Sequence, residues 1–549
     1  MKKAAFALAA IAVATCTAEV EPFRKKVIMC SWDNGVFTVA DVLSNKAAFA
    51  ALPIDGMRIP ANGLKLPDGK PLNPWQAFSG TNEWPEGILD PLVPQFREAV
   101  AIPTLRHSFT GFLMARGNRK TRLDFRDDAG WARAFSNVWQ LAVLARKGGL
   151  RGLIMDPEDY GKSLQFYRQE EDPPYEETAR LARRRGREFA RTVMGAYPEM
   201  TLFVFWAFSH GRQYMAQLDP AAAMRATGEL YIPFLDGVLD AIPPGARIVD
   251  GDEPSYNYSA RGGGELTYAI KACDNRACVA LVSPENQEKF RTQVLMGFAV
   301  YLDRYTNKKG NFYYTGPLSG SRLHQFDENL TGALRATDEY VWLYGEKFAM
   351  IDWKVHGKPT RAIRFAEHRT WDDEVPGLYD AVWAARNPRD FLDRRFPEIR
   401  GKGACTNLVK FGVMKVTGKF KHGRQVFRRP VRRGERYVIE FVAKGPGANG
   451  GVGFYREDLQ RQWGLPGLTA KGEGLHRLLV KIGPDTGFIN LGMSTSAGED
   501  AEVEFSDIGF YRLPAPMEPE EDEKNAEEKK EDQKQEGQKQ EIQKKGQKK

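Results

Sequence analysis

Cysteine and histidine are scarce in this chain, and no apolar run is long enough to cross a bilayer. It holds 5 Cys and 7 His in 549 residues. An apolar run begins just after Lys2 and Lys3, spans Ala4 to Thr15, and is followed by small residues. That is the pattern of an export signal, with a cut expected after Ala18. The run is too short to span a membrane, so no membrane span is expected. Val13-Ala14-Thr15-Cys16 also resembles a lipoprotein signal, which makes a lipid anchor on Cys16 the minority alternative to a secreted, periplasmic or cell-surface protein.

Cleavage at Ala18 leaves Cys30, Cys273, Cys278 and Cys405. Cys273 and Cys278 are spaced to close a short disulfide in an oxidising compartment. They lack a second Cys/His pair nearby, which argues against zinc, so no metal is expected. No glycine-rich phosphate loop follows an early strand, which speaks against an open dinucleotide-binding sheet, and no cofactor is expected. A Gly-x-Ser-x-Gly elbow is also missing, which makes an esterase a poor fit.

The formal net charge is +8. From Pro516 onward there are 9 Lys and 11 Asp/Glu, a net of −2, so the remainder carries +10. The cations are scattered and no nucleic-acid motif accompanies them, so no nucleic-acid partner is expected. The excess mildly favours an anionic ligand. With 11 Trp, 19 Tyr and 32 Phe, the chain can build a large core and still spare rings to stack on sugars.

From Lys26 to about Arg395, short apolar runs alternate with helical patterns. Strands are expected at 27–33, 56–59, 102–107, 151–156, 201–206, 246–250, 311–314 and 340–344. Helices are expected at 39–52, 91–100, 129–147, 176–194, 285–303 and 377–385. Continuous apolar strands between helices predict a parallel sheet covered on both faces, and eight such units fit a (β/α)8 TIM barrel. Beyond Gly401, short strands at 425–427, 437–442, 451–455, 478–482, 488–491 and 503–508 predict an all-β antiparallel sandwich or jelly roll. The expected division is an export signal at 1–18, a barrel at 24–398, a sandwich at 401–514 and a disordered charged tail at 515–549.

A barrel carries its site at the C-terminal ends of its strands. Those ends supply Asp33, Arg58, His107, Asp156, Glu158, Trp206, His210, Asp252, Glu253, Tyr314, Tyr344 and Glu346, with Tyr160 and Trp342 close in sequence. Acids and rings dominate, which is what cleavage of a glycosidic bond needs: one carboxyl to protonate the leaving oxygen, a second to attack or orient, and rings to hold sugars. Asp156-Pro157-Glu158-Asp159 is the densest acidic group, and mutual repulsion there raises at least one pKa. Glu158 is expected to be the acid and Asp156 its partner. Glu346 is the candidate second carboxylate, with the Asp252–Glu253 pair as competitor. His107 and His210 would hydrogen-bond hydroxyls, and Trp206, Tyr256 and Tyr314 would stack.

With those residues in view, the first part of the chain resembles the β/α-barrel glycoside hydrolases. The stretch from Gly149 to Tyr160 is similar to the fourth strand of the chitinase-like families, where a D-x-E pair supplies an acid Glu and a supporting Asp. Ile154 and Arg151 stand where those families carry further acids, so the resemblance implies the superfamily and no single family. The segments from Gly434 to Gly445 and from Val503 to Phe510 resemble carbohydrate-binding jelly rolls, with Tyr455 and Trp463 as platform residues or core. The implied function is an exported glycoside hydrolase acting on a polysaccharide or glycan. The alternative is a non-catalytic surface protein that binds glycan through both parts.

Overall fold

The computed structural model describes residues 25–30, 37–80, 82–115, 122–159, 164–257, 264–352, 369–410, 412–417, 424–458, 468–483 and 485–514. The segment expected to be an export signal, with Cys16, and also Asp33, Tyr160, Trp463 and the charged tail lie outside these residues.

The first nine strands are β1 (Lys26–Met29), β2 (Gly56–Met57), β3 (Thr110–Leu113), β4 (Gly152–Asp156), β5 (Thr201–Val204), β6 (Arg247–Asp250), β7 (Val294–Met296), β8 (Phe298–Tyr301) and β9 (Tyr340–Tyr344). They form two parallel sheets, ordered β2-β1-β9-β8 and β3-β4-β5-β6-β7. A parallel bridge between Arg58 and Phe109 joins the end of β2 to the start of β3. Only Gly297 separates β7 from β8, and its N–H donates to the Asp250 carbonyl at 2.7 Å.

Alternate residues of these strands enter two different cores, as the two-residue side-chain period requires. Ile28, Ile154, Phe203, Val249, Ala299, Tyr340 and Trp342 form an inner cluster that draws on both sheets. Val27, Leu153, Met155, Leu202, Val204, Ile248 and Val341 face the covering helices. Gly152 allows β4 and β5 to close up: a Cβ there would lie 2.1 Å from the Thr201 carbonyl oxygen, at a φ of +152°. No larger residue fits.

The long helix Asp128–Gly148 starts at Asp127, whose side chain accepts from the Gly130 N–H, and stops at Gly149 in the left-handed conformation. The helix expected over 39–52 is broken at Asn45 into Val39–Ser44 and Lys46–Ala50.

Two expected strands are misplaced. The stretch 102–107 is a 3-10 turn, Pro103–Leu105, and the third strand begins only at Thr110. Pro103 presets a turn-like φ and removes a ladder donor. The stretch 311–314 carries no strand. The missing strands are β7 and β8, inside what reads as a helix over 285–303, which in fact ends at Gln293. A continuous apolar run buried on both sides has no period to separate strand from helix.

Beyond this α/β part lie β10 (Thr406–Lys410), β11 (Met414–Thr417), β12 (Arg424–Pro430), β13 (Arg436–Lys444), β14 (Ala448–Tyr455), β15 (Leu468–Lys471), β16 (Gly474–Lys481), β17 (Phe488–Thr495) and β18 (Glu502–Arg512). They build two antiparallel sheets, β10-β18-β13-β16 with β11 on β18, and β12-β17-β14-β15. Tyr437, Ile439, Phe441, Ile489, Leu491, Val503 and Phe505 fill the space between them. The first of these sheets also packs outward, with Val438 and Leu513 against Ala384, Phe391, Phe396 and Ile399. Lys481 donates from its ammonium to Asp327 at 3.0 Å and to Thr331 at 2.8 Å, and Arg433 pairs with Glu328.

Cys30, Cys273, Cys278 and Cys405 are free thiols. The expected Cys273–Cys278 bridge is not formed: Cys278 is buried, and its Sγ lies 3.6 Å from the Asp274 carbonyl oxygen one turn earlier, while Cys273 faces solvent. No helix among the described residues is long and apolar enough to cross a membrane.

Candidate active site

The ends of β4, β5 and β6 lie side by side, because Met155 is in register with Val204 and Val204 with Asp250. Each end then turns a polar group over the sheet. Asp156 closes β4 and is buried, and its Oδ1 accepts the Glu158 N–H at 2.9 Å. That bond folds Asp156-Pro157-Glu158 into a tight corner and sets Glu158 at the rim.

Asp250 closes β6 and holds the loop after β5. It accepts the N–H groups of Ala207 at 3.0 Å and Ser209 at 2.6 Å, and the Ser209 hydroxyl at 2.7 Å. The Glu253 N–H donates to the Phe205 carbonyl at 2.8 Å, which fixes Glu253 beside Trp206. Asp252, at φ +42°, turns away, accepting Arg212 at 2.8 Å and Asn275 at 3.1 Å.

These corners enclose a cleft of about 360 Å³ lined by Glu158, Asp159, Tyr167, Trp206, His210, Glu253, Tyr256 and Tyr313. Its carboxyls perturb one another. Burial pushes Asp156 up to about 7, helped by the Glu158 charge and opposed by the hydrogen bond from the Glu158 N–H and by Arg58. Burial also carries Glu253 well above the ordinary carboxylate range, and the charges of Asp156 and Glu158 add to it, while a hydrogen bond from Trp206 works the other way. Like charges crowded in a poorly solvated site disfavour one another's ionised forms. Among the described residues, no group of three or more His, Cys, Asp or Glu side chains is arranged to hold a metal.

Of the residues singled out from sequence, Glu158, Trp206, His210, Glu253 and Tyr256 line this cleft, and buried Asp156 is near enough to act on Glu253. Arg58 lies close enough to act on Asp156 and stacks over the Trp75 ring at 4.6 Å. Glu346 does not line the cleft: its N–H donates to Asp303 at 2.8 Å, and it accepts the Tyr344 hydroxyl at 3.1 Å. It stands round the rim, since the charges of Glu253, Glu158 and Glu346 all raise the Tyr313 hydroxyl after burial does.

Four further residues, His107, Trp342, Tyr314 and Asp252, stand away from the cleft lining. His107 precedes β3, with its N–H on the Asp55 carbonyl at 2.8 Å, so it sits at the opposite end of the strands. Trp342 is 0% exposed, stacked at 4.4 Å on Phe205 with its indole N–H on the Gly251 carbonyl, and belongs to the inner core. Tyr314 yields its expected place on the cleft wall to Tyr313, and its own carbonyl accepts from Arg304 at 3.5 Å. Asp252 serves as a brace for Arg212 rather than as a cleft acid. Tyr167 and Tyr313 carry no motif, and only their aromatic character near strand ends could have pointed to them. Glu229, which stands behind His210, gave no signal at all.

No protein-family model and no curated protein matches the sequence. Among solved structures, the chain is similar to a D-allulose 3-epimerase from Methylomonas sp., with 13% identity, 66% of this chain and 96% of that chain covered, and a TM-score of 0.31. It is also similar to a glycoside hydrolase, with 11% identity over 88% of this chain and 92% of that one, at a TM-score of 0.30. A CBM4 structure matches 18% of this chain and 86% of its own length, at 12% identity and a TM-score of 0.14. These likenesses are too distant to assign a family.

Proposed function

We propose that the chain is an exported glycoside hydrolase that cleaves O-glycosyl bonds of a polysaccharide or glycan, using Glu253 and Glu158 across the aromatic cleft. Glu253, the deeply buried carboxyl, carries the proton delivered to the glycosidic oxygen. Glu158 supplies the carboxylate, as nucleophile or as the group that activates water. Asp156 holds the Glu158 corner and, when ionised, helps keep the proton on Glu253. This moves the acid from Glu158, expected from sequence, to Glu253, because burial outweighs position in the motif.

In this reading the two parallel sheets are one (β/α)8 barrel at 24–398. The Arg58–Phe109 bridge supports closure on one side and the run from β7 into β8 on the other, and the inner cluster draws side chains from both sheets. The region 401–514 is its accessory carbohydrate-binding-type module, and 1–18 the export signal.

The observation that carries the reading is that Glu158 and Glu253 line one cleft with Trp206, Tyr256 and Tyr313, while the buried Asp156 is near enough to act on Glu253. The test is product release from a panel of polysaccharides and aryl glycosides. Glu253→Gln and Glu158→Gln should each lower kcat by roughly 10²–10⁴-fold. Turnover by the double variant at the wild-type rate defeats the assignment. Polysaccharide retention without any product from the wild type favours the non-catalytic glycan-binding alternative.

A further inference from the structure

His210 stands in the cleft wall with its ring beside Trp206, centroids 5.0 Å apart and planes 30° from parallel. Behind it lies Glu229, 0% exposed. Both oxygens of Glu229 are occupied. Oε1 accepts the N–H groups of Tyr231 at 2.6 Å and Ile232 at 3.1 Å, at the start of the helix Tyr231–Ala241. Oε2 accepts the Tyr214 hydroxyl at 2.9 Å and lies 3.0 Å from Nε2 of His210.

A carboxylate only accepts, and this one already receives three donors, so the imidazole nitrogen facing it must supply the hydrogen. Tyr167 Oη and Gln213 Nε2 lie farther from that nitrogen, both at 3.3 Å. We propose that Glu229 is the positioning residue that holds His210 in its Nε2–H form, so that Nδ1 keeps its lone pair and accepts a hydroxyl hydrogen from a polyol bound in the cleft. Naming that polyol a sugar rests on the hydrolase reading; the state of the ring does not.

The arrangement gives the cleft something its acids lack. The carboxyls there act on one another, whereas an imidazole whose Nε2–H is held by a sealed glutamate leaves its other nitrogen for the ligand. Its partner also orients the ring plane, in the way that a buried carboxylate orients a histidine from behind.

Long-range ¹H–¹⁵N spectra of the full chain test this, with His210→Gln assigning the ring. The expected wild-type spectrum shows a protonated Nε2 and an unprotonated Nδ1 at neutral pH, and the two tautomers mix in Glu229→Gln. For a 4-nitrophenyl glycoside that the wild type cleaves, KM should rise roughly tenfold in Glu229→Gln and in His210→Phe, the loss of about one hydrogen bond, with kcat within about threefold. A wild-type ring protonated at Nδ1 overturns the proposal, and so does a folded Glu229→Gln protein with an unchanged ring spectrum. If Glu229→Gln does not fold, the wild-type spectrum decides alone. A wild type that cleaves no glycoside defeats the hydrolase reading, and the ring spectrum still decides the role of Glu229.

Discussion

The Glu158 N–H donates to Oδ1 of Asp156 at 2.9 Å, so the buried acid at the end of β4 sets the backbone that presents the rim acid two residues later. Asp156 thereby has two jobs, one steric and one electrostatic, and a substitution can separate them. Asparagine keeps an Oδ1 acceptor for that N–H and removes the charge.

Removing that charge should move the pH profile. An ionised Asp156 raises Glu253. In Asp156→Asn the Glu253 pKa falls, so the protonated acid is lost at lower pH and the alkaline limb of kcat/KM shifts to lower pH. A rate–pH profile of both proteins checks the direction; a limb that stays in place removes Asp156 from the coupling.

The same substitution bears on stability. Burial raises Asp156 to about 7 in the folded chain from its ordinary value of 3.8. A carboxyl raised by folding favours the fold while protonated, and that contribution is lost as pH rises through the interval from about 4 to 7. Asp156→Asn does not suffer this loss. It should gain about 1–3 kcal/mol over the wild type between pH 4 and pH 8, read from urea midpoints at the two pH values.

Glu346 tests which carboxylate partners Glu158. It lies outside the cleft lining and bonds to Tyr344 and Asp303. Glu346→Gln should therefore change kcat by less than about fivefold, against the roughly 10²–10⁴-fold expected for a residue that transfers the proton. An equal loss in both variants would return Glu346 to the machinery.

Trp342 should behave as core. Trp342→Phe loses the indole hydrogen bond to Gly251 and part of the packing on Phe205, and should cost about 1–3 kcal/mol in chemical denaturation. KM should stay near the wild-type value, whereas a substrate-stacking tryptophan would raise it several-fold.

Much of the fold could be read from residue order, and the failures share a cause. β4, β5, β6 and β9 lie where runs such as Leu153-Ile154-Met155 and Val341-Trp342-Leu343 predict them. β7 and β8 were hidden because Val294 to Leu302 is apolar throughout, which suits a buried strand and a buried helix equally. Reading that run as helix places the seventh strand at 311–314, and reading 102–107 as the third strand puts His107 at the wrong end. The Asp156–Glu158 pair was legible because it follows a strand directly. Glu229 was not, because it acts through three-dimensional neighbours, and an isolated glutamate before a helix looks like any other cap.

The seam between the two parts sets how the chain can come apart. Val438 and Leu513 lie against Ala384, Phe391, Phe396 and Ile399, and Lys481 reaches across to Asp327. A protease cut near residue 403 would not release two tidy fragments, because each would bare an apolar flank and lose the Lys481–Asp327 pair. The parts should therefore melt as one cooperative unit. Any engineered truncation should follow this seam and replace those apolar residues, since clipping the sequence at the connector alone invites aggregation.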